Sequence, residues 1–428
     1  MNNLSSLPIS RWSKIFTFLI VAFPILDIYA VGVKGISIGS VLLSIALIRV
    51  LLSFLEYRHY IKWNPYYGFC IYGVVISLIT LLLHNEFSVL EVFVRLTYFL
   101  FYILLIFMPS LHDFNIVYAG KIYLRLGLLA GCFLILQYIC FWGFGYTLIG
   151  LIPGLSLNYS ITDYTEWINK YSGMYEIIFR PTSVFPEPAA FAQYMAPLLI
   201  LTLFTSVGEK RRLILAGFIS IVMILSTSTN GIVFSISTWM IYFIYYNYKS
   251  IKRKNILTLL FPLITFSIVF FFFVLLTNDN SISNYTARQL NDIFDMNTSA
   301  SGYIRVLRGF DIYSQLNILE EIFGIGLGTY RSYYAMGSIY VLDGEVEYMS
   351  SLSYLFVSTG VIGFLLFIYA LFYNSKGKGI CSKLLAMWII LVFTSSSLFN
   401  SPVYALAYLL ILYSDALKIN QSVSEVTR

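Results

Sequence analysis

Long apolar segments recur along almost the whole chain, and they decide what it can fold into. Twelve of them approach the length of about 20 helical residues that crosses a bilayer core of about 30 Å. Only 11% of the 428 residues are charged, whereas a soluble domain carries about 25%. The sequence therefore predicts an all-α fold, a polytopic helical bundle in a membrane. The predicted spans are 15–32, 36–55, 66–84, 90–108, 122–142, 188–207, 212–229, 231–247, 256–276, 350–373, 380–398 and 401–417.

The short loops between these spans carry basic residues on one side, which the positive-inside rule assigns to the cytoplasm. These residues are Arg11, Lys14, Arg58, Lys62, Lys121, Lys210, Arg211, Arg212, Lys249, Lys252, Arg253, Lys254, Lys376 and Lys378. Both termini are therefore predicted to be cytoplasmic, and two long loops, 143–187 and 277–349, would face outward. Because no repeat or linker divides the chain, we expect one membrane domain over 1–428. The net charge of +6 reflects these loops and does not indicate a nucleic-acid partner.

One polar stretch, from Arg180 to Ala192, combines an arginine, a glutamate and three prolines at the start of an apolar segment. The prolines hold the backbone extended up to Glu187, and Pro188 suits the first helical position, where no N–H is needed. Glu187 is then expected at the N-cap, beside the positive end of the helix dipole. The planar guanidinium of Arg180 suits phosphate, and Glu187 could serve as base, acid or charge partner. The alternative is a structural cap or ion pair.

The second outer loop carries four arginines, against the usual charge preference of such loops. Phosphate or pyrophosphate at the membrane surface would explain them, and solvated charges or lipid headgroup contacts are the alternative. The four are Arg288, Arg305, Arg308 and Arg331. The same loop is predicted to form an amphipathic helix over 302–322, which could lie on the membrane surface or cap a cavity.

Charged residues inside predicted spans are costly, so they are candidates for function. Arg95 lies in the fourth span and Asp27 towards the outer end of the first, and the predicted topology would let them meet. A cluster of hydroxyl residues from Ser226 to Thr229, followed by Asn230-Gly231, either binds sugar hydroxyls or forms a turn, and the pattern favours the turn.

No metal or cofactor is expected. The histidines and cysteines show no metal-ligand spacing, and the cysteines all fall in apolar runs. They are His59, His84, His112, Cys70, Cys132, Cys140 and Cys381. The glycine turn at 324–328 follows no predicted strand and opens no evident helix, so it does not indicate a nucleotide site.

Three stretches, in their order and topology, resemble the bacterial O-antigen and capsular polysaccharide polymerase family, which is often grouped with the O-antigen ligases. The first is Arg180 to Ala192, where the arginine is followed by Phe-x-Glu-Pro and small residues. The second is Leu225 to Gly231. The third is Ser301 to Tyr330, with Arg305 and a Gly-x-Gly-x-Gly turn. The layout of twelve spans with two long outer loops matches along essentially the whole chain.

The resemblance implies a glycosyltransferase of the bacterial inner membrane that joins undecaprenyl-pyrophosphate-linked oligosaccharides at the periplasmic face, without nucleotide or metal. Arg180 and Arg305 would bind the pyrophosphate. Glu187 would deprotonate the acceptor hydroxyl, with Glu345 and Glu347 as alternatives. Membrane lipids, a chain-length regulator and a flippase would be its other partners. Further substrate contacts would come from Arg95, Arg288, Arg308, Arg331 and Tyr194.

Two departures from the family pattern bear on this interpretation. A basic residue usually stands where this chain has Thr229, which puts a phosphate contact there in doubt. The ligases place a histidine in the second long loop, and 277–349 has none, which favours a polymerase over a ligase. A lipid-linked sugar flippase is the alternative from another class, because it also has about twelve spans. A flippase needs charges along a central cavity, whereas the charged residues here gather on one face of the membrane. This distribution favours the polymerase.

The predicted topology can be tested by cysteine labelling of intact cells. Ser160→Cys and Ser283→Cys place a thiol in each long loop, and a membrane-impermeant maleimide should label both because both loops are predicted to face outward. Protection of either position would break the twelve-span arrangement.

Overall fold

The structure, a computed structural model, describes residues 10–56, 63–84, 86–110, 112–158, 180–205, 209–250, 306–340 and 349–414. These ranges are largely helical, with one short hairpin. The helices are α1 (Arg11–Leu26), α2 (Ile38–Glu56), α3 (Pro65–Leu83), α4 (Val89–Phe107), α5 (Ile116–Phe144), α6 (Pro188–Thr205), α7 (Glu209–Leu225), α8 (Thr229–Ser250), α9 (Arg308–Tyr313), α10 (Ile318–Phe323), α11 (Tyr330–Ala335), α12 (Ser351–Ser375), α13 (Ile380–Ser395) and α14 (Pro402–Tyr413). The strands are β1 (Ala30–Val31) and β2 (Val33–Ser37).

Four of the described helices, α3, α4, α5 and α12, are long and apolar enough to cross a membrane. Shorter apolar helices occupy Ile38–Phe54, Pro188–Phe204, Ile380–Ser395 and Pro402–Tyr413. The prediction of a largely helical membrane protein is therefore confirmed. The count of twelve spans and the cytoplasmic termini stay predictions, and the ninth predicted span, 256–276, lies outside the described residues.

The chain divides into two compact units, and each is described here by itself. Unit 1 comprises 1–43, 114–287 and 416–428, and unit 2 comprises 44–113 and 288–415. The expectation of a single membrane domain stays a prediction.

In unit 1, α6 is buried along almost its whole length and packs against α5, α7 and α8. Helix α5 packs in turn against α1, α6 and α7. Two glycines on its buried face allow the close approach. A Cβ at Gly127 would lie 2.2 Å from Leu198 Cδ2, and one at Gly131 would lie 2.9 Å from Phe218 Cε1. Small residues at helix contacts are typical of membrane bundles, where packing takes over from the hydrophobic effect.

The first predicted span, 15–32, is too long. Helix α1 ends at Leu26, and the following residues form the hairpin of β1 and β2. The backbone N–H of Ala30 donates to Ser156 O at 2.8 Å, so this part of the chain pairs with another segment of unit 1 and cannot continue the helix. Ser37 Oγ donates to Asp27 Oδ1 at the base of the hairpin.

Unit 2 is built around α12, which packs against α3, α10 and α13. Aromatic rings fill the seams between its helices. Tyr66 of α3 is fully buried among such rings, and its hydroxyl lies 2.8 Å from that of Tyr404. Asn64 Nδ2 donates to Asn374 Oδ1 at 2.7 Å. The start of α3 therefore lies beside the end of α12, and the two helices run antiparallel.

The single amphipathic helix predicted over 302–322 is wrong for the part that the structure describes. Two short helices, α9 and α10, stand in its place. Asn317 restarts the helix because its side chain accepts from Glu320 N at 3.0 Å while Glu320 Oε2 accepts from Asn317 N at 3.0 Å. The pattern placed Arg308, Asp311 and Gln315 on the polar face of that helix. Asp311 and Gln315 are exposed, whereas Arg308 is buried.

Candidate functional site

The polar stretch of unit 1 is held by one glutamine from the middle of α5. Gln137 Oε1 accepts from Ser183 N at 2.8 Å, and Gln137 Nε2 donates to Leu148 O at 3.0 Å and to Ser183 O at 3.3 Å. The Ser183 hydroxyl donates to Ala130 O at 2.6 Å. The buried side-chain amide of Gln137 thus satisfies both the N–H and the carbonyl of Ser183. These two groups lie in a segment that forms no helix or strand, so a side chain has to pair them.

Ser183 needs this support because its backbone is strained. Its φ is +55°, in the left-handed region that residues with a Cβ seldom adopt. The neighbouring loop closes tightly over it, and a Cβ at Gly150 would lie 1.9 Å from Ser183 O. The segment that carries Arg180 and Glu187 is therefore fixed in one shape.

Arg180 reaches the hydroxyl-rich turn that follows α7. Its Nε donates to Thr227 Oγ1 at 3.4 Å. Tyr138 of α5 holds the same turn, since its hydroxyl donates to Leu225 O at 2.6 Å. Thr227 itself has a φ of +56°. The pattern favoured a turn at 226–231 over a sugar-binding site. The structure has a turn at 226–228, and Thr229 already begins α8. The turn contacts Arg180, which the sequence did not predict.

Glu187 stands where the sequence predicted it. Helix α6 begins at Pro188, and Glu187 O accepts from Phe191 N at 3.2 Å, which is the first hydrogen bond of the helix. Glu187 therefore occupies the N-cap position, and its side chain is half-buried. A carboxylate at this position experiences the positive end of the α6 dipole.

We call Arg180, Ser183 and Glu187, which share one stretch of chain, together with Thr227 the Arg180 site, and the part of it anchored at Ser183 lies beside α5. Gln137 is seven residues before the end of α5 at Phe144 and Ala130 is fourteen before it, distances of about 10 and 21 Å along a helix. Since α5 is long and apolar enough to cross a membrane, these polar groups lie along the side of a candidate membrane span. Such groups are candidates for function.

Unit 2 holds a second group of charges around the glycine turn. Arg95 Nη2 donates to Tyr330 OH at 3.5 Å, and Arg331 Nη1 lies 3.6 Å from Glu91 Oε1. The structure thus brings together Arg95 and Arg331, which the sequence analysis named separately. Both members of the Arg331–Glu91 pair are more than a third exposed, so this ion pair contributes little stability. We call Arg95, Arg331, Glu91 and Tyr330 the Arg95 site.

Next to the Arg95 site, Tyr333 of α11 has two further side chains within hydrogen-bonding distance. Tyr333 OH donates to Glu320 Oε1 at 2.9 Å, and His84 Nε2 lies 3.4 Å from the same hydroxyl. Burial, and then the hydrogen bond to Glu320, raise the pKa of Tyr333.

The remaining candidates from the sequence fall elsewhere. Asp27 is hydrogen-bonded to Ser37 within unit 1, so its expected meeting with Arg95 gains no support. Tyr194 is fully buried against Phe185, which is the environment of a core residue, and a substrate contact there stays a prediction. The residues Arg288, Arg305, Glu345 and Glu347 lie outside the described residues.

Sequence reasoning missed the residues that hold the two sites. Gln137 and Tyr138 lie inside a predicted span, where a lone glutamine in an apolar run was the available signal. Glu91 lies four residues before Arg95 on the same helix, a spacing that puts both on one face.

Comparison of the sequence with protein-family models finds no match, and comparison with curated proteins finds none either. The resemblance to the polymerases therefore depends on the stretches named above.

The role of Gln137 can be measured as thermal stability in detergent. Gln137→Leu removes partners from Ser183 N and from two carbonyls, and each unsatisfied buried group costs about 1–3 kcal/mol, so the midpoint should fall clearly. Gln137→Glu keeps the acceptor but loses the donors and should lie between. Leu136→Ala, at an exposed position one residue away, is the control. Equal midpoints for Gln137→Leu and the parent would contradict this role.

Proposed function

We propose that this chain is a glycosyltransferase that joins glycan repeat units carried on undecaprenyl pyrophosphate, the function that its resemblance to O-antigen and capsular polysaccharide polymerases implies. The observation that carries the proposal is the contact between Arg180 and Thr227. Two of the three stretches that bear the resemblance meet there, although 47 residues separate them. A motif pair that meets in space is better support than either motif alone.

The reaction needs a positive group and a proton acceptor, and the Arg180 site contains an arginine and a glutamate. An acceptor hydroxyl attacks the anomeric carbon of the donor sugar while the bond from that carbon to the pyrophosphate oxygen breaks. Negative charge grows on the departing pyrophosphate, where a fixed guanidinium stabilises it most. Arg180 fills this role in the proposal, and Glu187 takes the proton that the acceptor hydroxyl loses.

The Arg95 site supplies a second positive region for the same class of substrate. Two arginines and one carboxylate give it a net charge of +1, and guanidinium groups match phosphate oxygens. We assign Arg95 and Arg331 to phosphate contacts within unit 2. Thr229 stands where the polymerases usually have a basic residue, so we assign the phosphate contact near this turn to Arg180, which donates to Thr227 Oγ1.

The function is tested by deleting the gene and separating the surface polysaccharide on a gel. A polymerase should leave single repeat units attached to lipid A core, because one unit is still transferred without being extended. Complete loss of surface glycan would point instead to a flippase or a ligase.

Arg180 is predicted to be essential and poorly replaced. Arg180→Ala should abolish the glycan ladder while membrane abundance stays normal, and Arg180→Lys should restore it only in part, because an ammonium does not reproduce bidentate binding. Arg125→Ala removes a guanidinium from an exposed position on α5 and serves as the control. A full ladder from Arg180→Ala would dismiss this residue as a phosphate ligand.

Substitutions of Glu187 distinguish a catalytic base from a residue that only caps α6. If it only caps α6, Gln should be tolerated and Asp or Asn should do as well or better, with a loss of at most about 1–2 kcal/mol of stability. If it is the base, Glu187→Gln keeps the shape but cannot take a proton, and activity should fall about 100-fold or more.

We expect the second outcome, with Glu187→Gln inserting normally and leaving single-unit glycan. Glu187→Asp should fall in between. Glu86→Gln, in the exposed turn between α3 and α4, is the matched control. A normal ladder from Glu187→Gln would move the base to the segment 343–347.

A further inference from the structure

The glycine turn of unit 2 does not rest on the ends of the helices that surround it. Leu327 N donates to Ser77 Oγ at 2.7 Å, and Ser77 lies six residues before the end of α3 at Leu83. A Cβ at Gly326 would lie 2.8 Å from Ser77 Cα, so the two backbones touch. Six residues of helix correspond to about 9 Å.

Contacts with α12 and α4 independently place the glycine turn at the same distance from the ends of these helices. Ile325 N donates at 3.0 Å to the carbonyl of Val357, six residues into α12 from Ser351. A Cβ at Gly328 would lie 2.8 Å from the side chain of Arg95, six residues into α4 from Val89. Helices α3, α4 and α12 are three of the four described helices that are long and apolar enough to cross a membrane. The turn therefore lies inside the layer that they cross.

Helix α12 is interrupted where the glycine turn packs against it. Gly360 has φ +61° and ψ −172°, which interrupts the helix. The carbonyls of Val357 and Ser358 accept instead from Ile325 and Gly326, at 3.0 and 2.8 Å. Irregular backbone at membrane depth is tolerated only where its polar groups find partners within the protein, and these bonds supply them.

Helix α10, just before the turn, is apolar on the outside. Ile318 is 74% exposed and Leu319 67%, and Ile322 and Phe323 are exposed as well. Its two carboxylates are half-buried, and Glu320 Oε1 accepts from the hydroxyl of Tyr333 on α11. A helix in water would bury the apolar side chains and expose the charges, so this arrangement fits hydrocarbon.

The exposed face of α10 continues an exposed apolar surface on α3, one of the helices that are long and apolar enough to cross a membrane. Leu78, Ile79 and Leu82 on the same part of α3 are exposed too. Tyr72 of α3 donates its hydroxyl to Phe323 O at 2.7 Å, which joins the two helices side by side.

We infer that residues 318–328 form a re-entrant segment that enters the bilayer from the side where α3 ends, with α10 in contact with lipid acyl chains. The inference is independent of the proposed function. It also changes the expected place of this segment, which the sequence assigned to an outer loop.

Fluorescence quenching in vesicles tests the inference. In a full-length chain without native cysteines, Leu319→Cys and Ile322→Cys are each labelled with an environment-sensitive fluorophore and reconstituted into phosphatidylethanolamine–phosphatidylglycerol vesicles. Leu82→Cys on α3 is the lipid-facing control, and Glu86→Cys in the α3–α4 turn is the aqueous control. Size-exclusion chromatography checks that each variant is folded.

Labels at 319 and 322 should be quenched by nitroxide-bearing acyl chains as strongly as the label at 82. Aqueous iodide should quench them about fivefold less than the label at 86. Iodide quenching at either position equal to that at 86 would overturn the inference, because α10 would then lie in water.

Discussion

A polar backbone group in an apolar layer must find its partner within the protein, and two irregular segments among the described residues meet that requirement in different ways. In unit 1 the partner is a side chain, since Gln137 binds the N–H and the carbonyl of Ser183. In unit 2 the partners are a serine of α3 and the freed carbonyls of a broken helix. Each unit therefore has non-helical chain packed against the side of a helix that is long and apolar enough to cross a membrane, and each places arginine beside it.

This arrangement explains how charge can be kept where it is costly. Ser183 and Thr227 both have positive φ, and strain of this kind costs of order 1–3 kcal/mol per residue unless its surroundings enforce it. Thr227 accepts the hydrogen bond from Arg180, and Ser183 lies three residues after that arginine. A guanidinium fixed in this way needs no reorganisation when charge develops on a leaving group, which is the condition for electrostatic stabilisation of a transition state.

The sequence predicted the helical membrane class and the start of α6 at Pro188, because apolar length and proline chemistry are local properties. It did not predict the two short helices at 308–323, since the capping pair of Asn317 and Glu320 interrupts an otherwise continuous amphipathic pattern. The pairing of Arg180 with Thr227, and the depth of the glycine turn, depend on contacts between distant segments. A single sequence contains no signal for these contacts. Gln137 was visible only as one polar residue in an apolar run.

The most direct test of the proposed function is reconstitution of the purified chain in vesicles with an undecaprenyl-pyrophosphate-linked repeat unit as the only glycan. Mass spectrometry of the lipid extract measures both products. Glycan extended by whole repeat units, with one free undecaprenyl pyrophosphate released for each bond formed, is the predicted result. Repeat units that stay single, whether or not they have crossed the bilayer, would contradict a polymerase and leave the flippase as the better description.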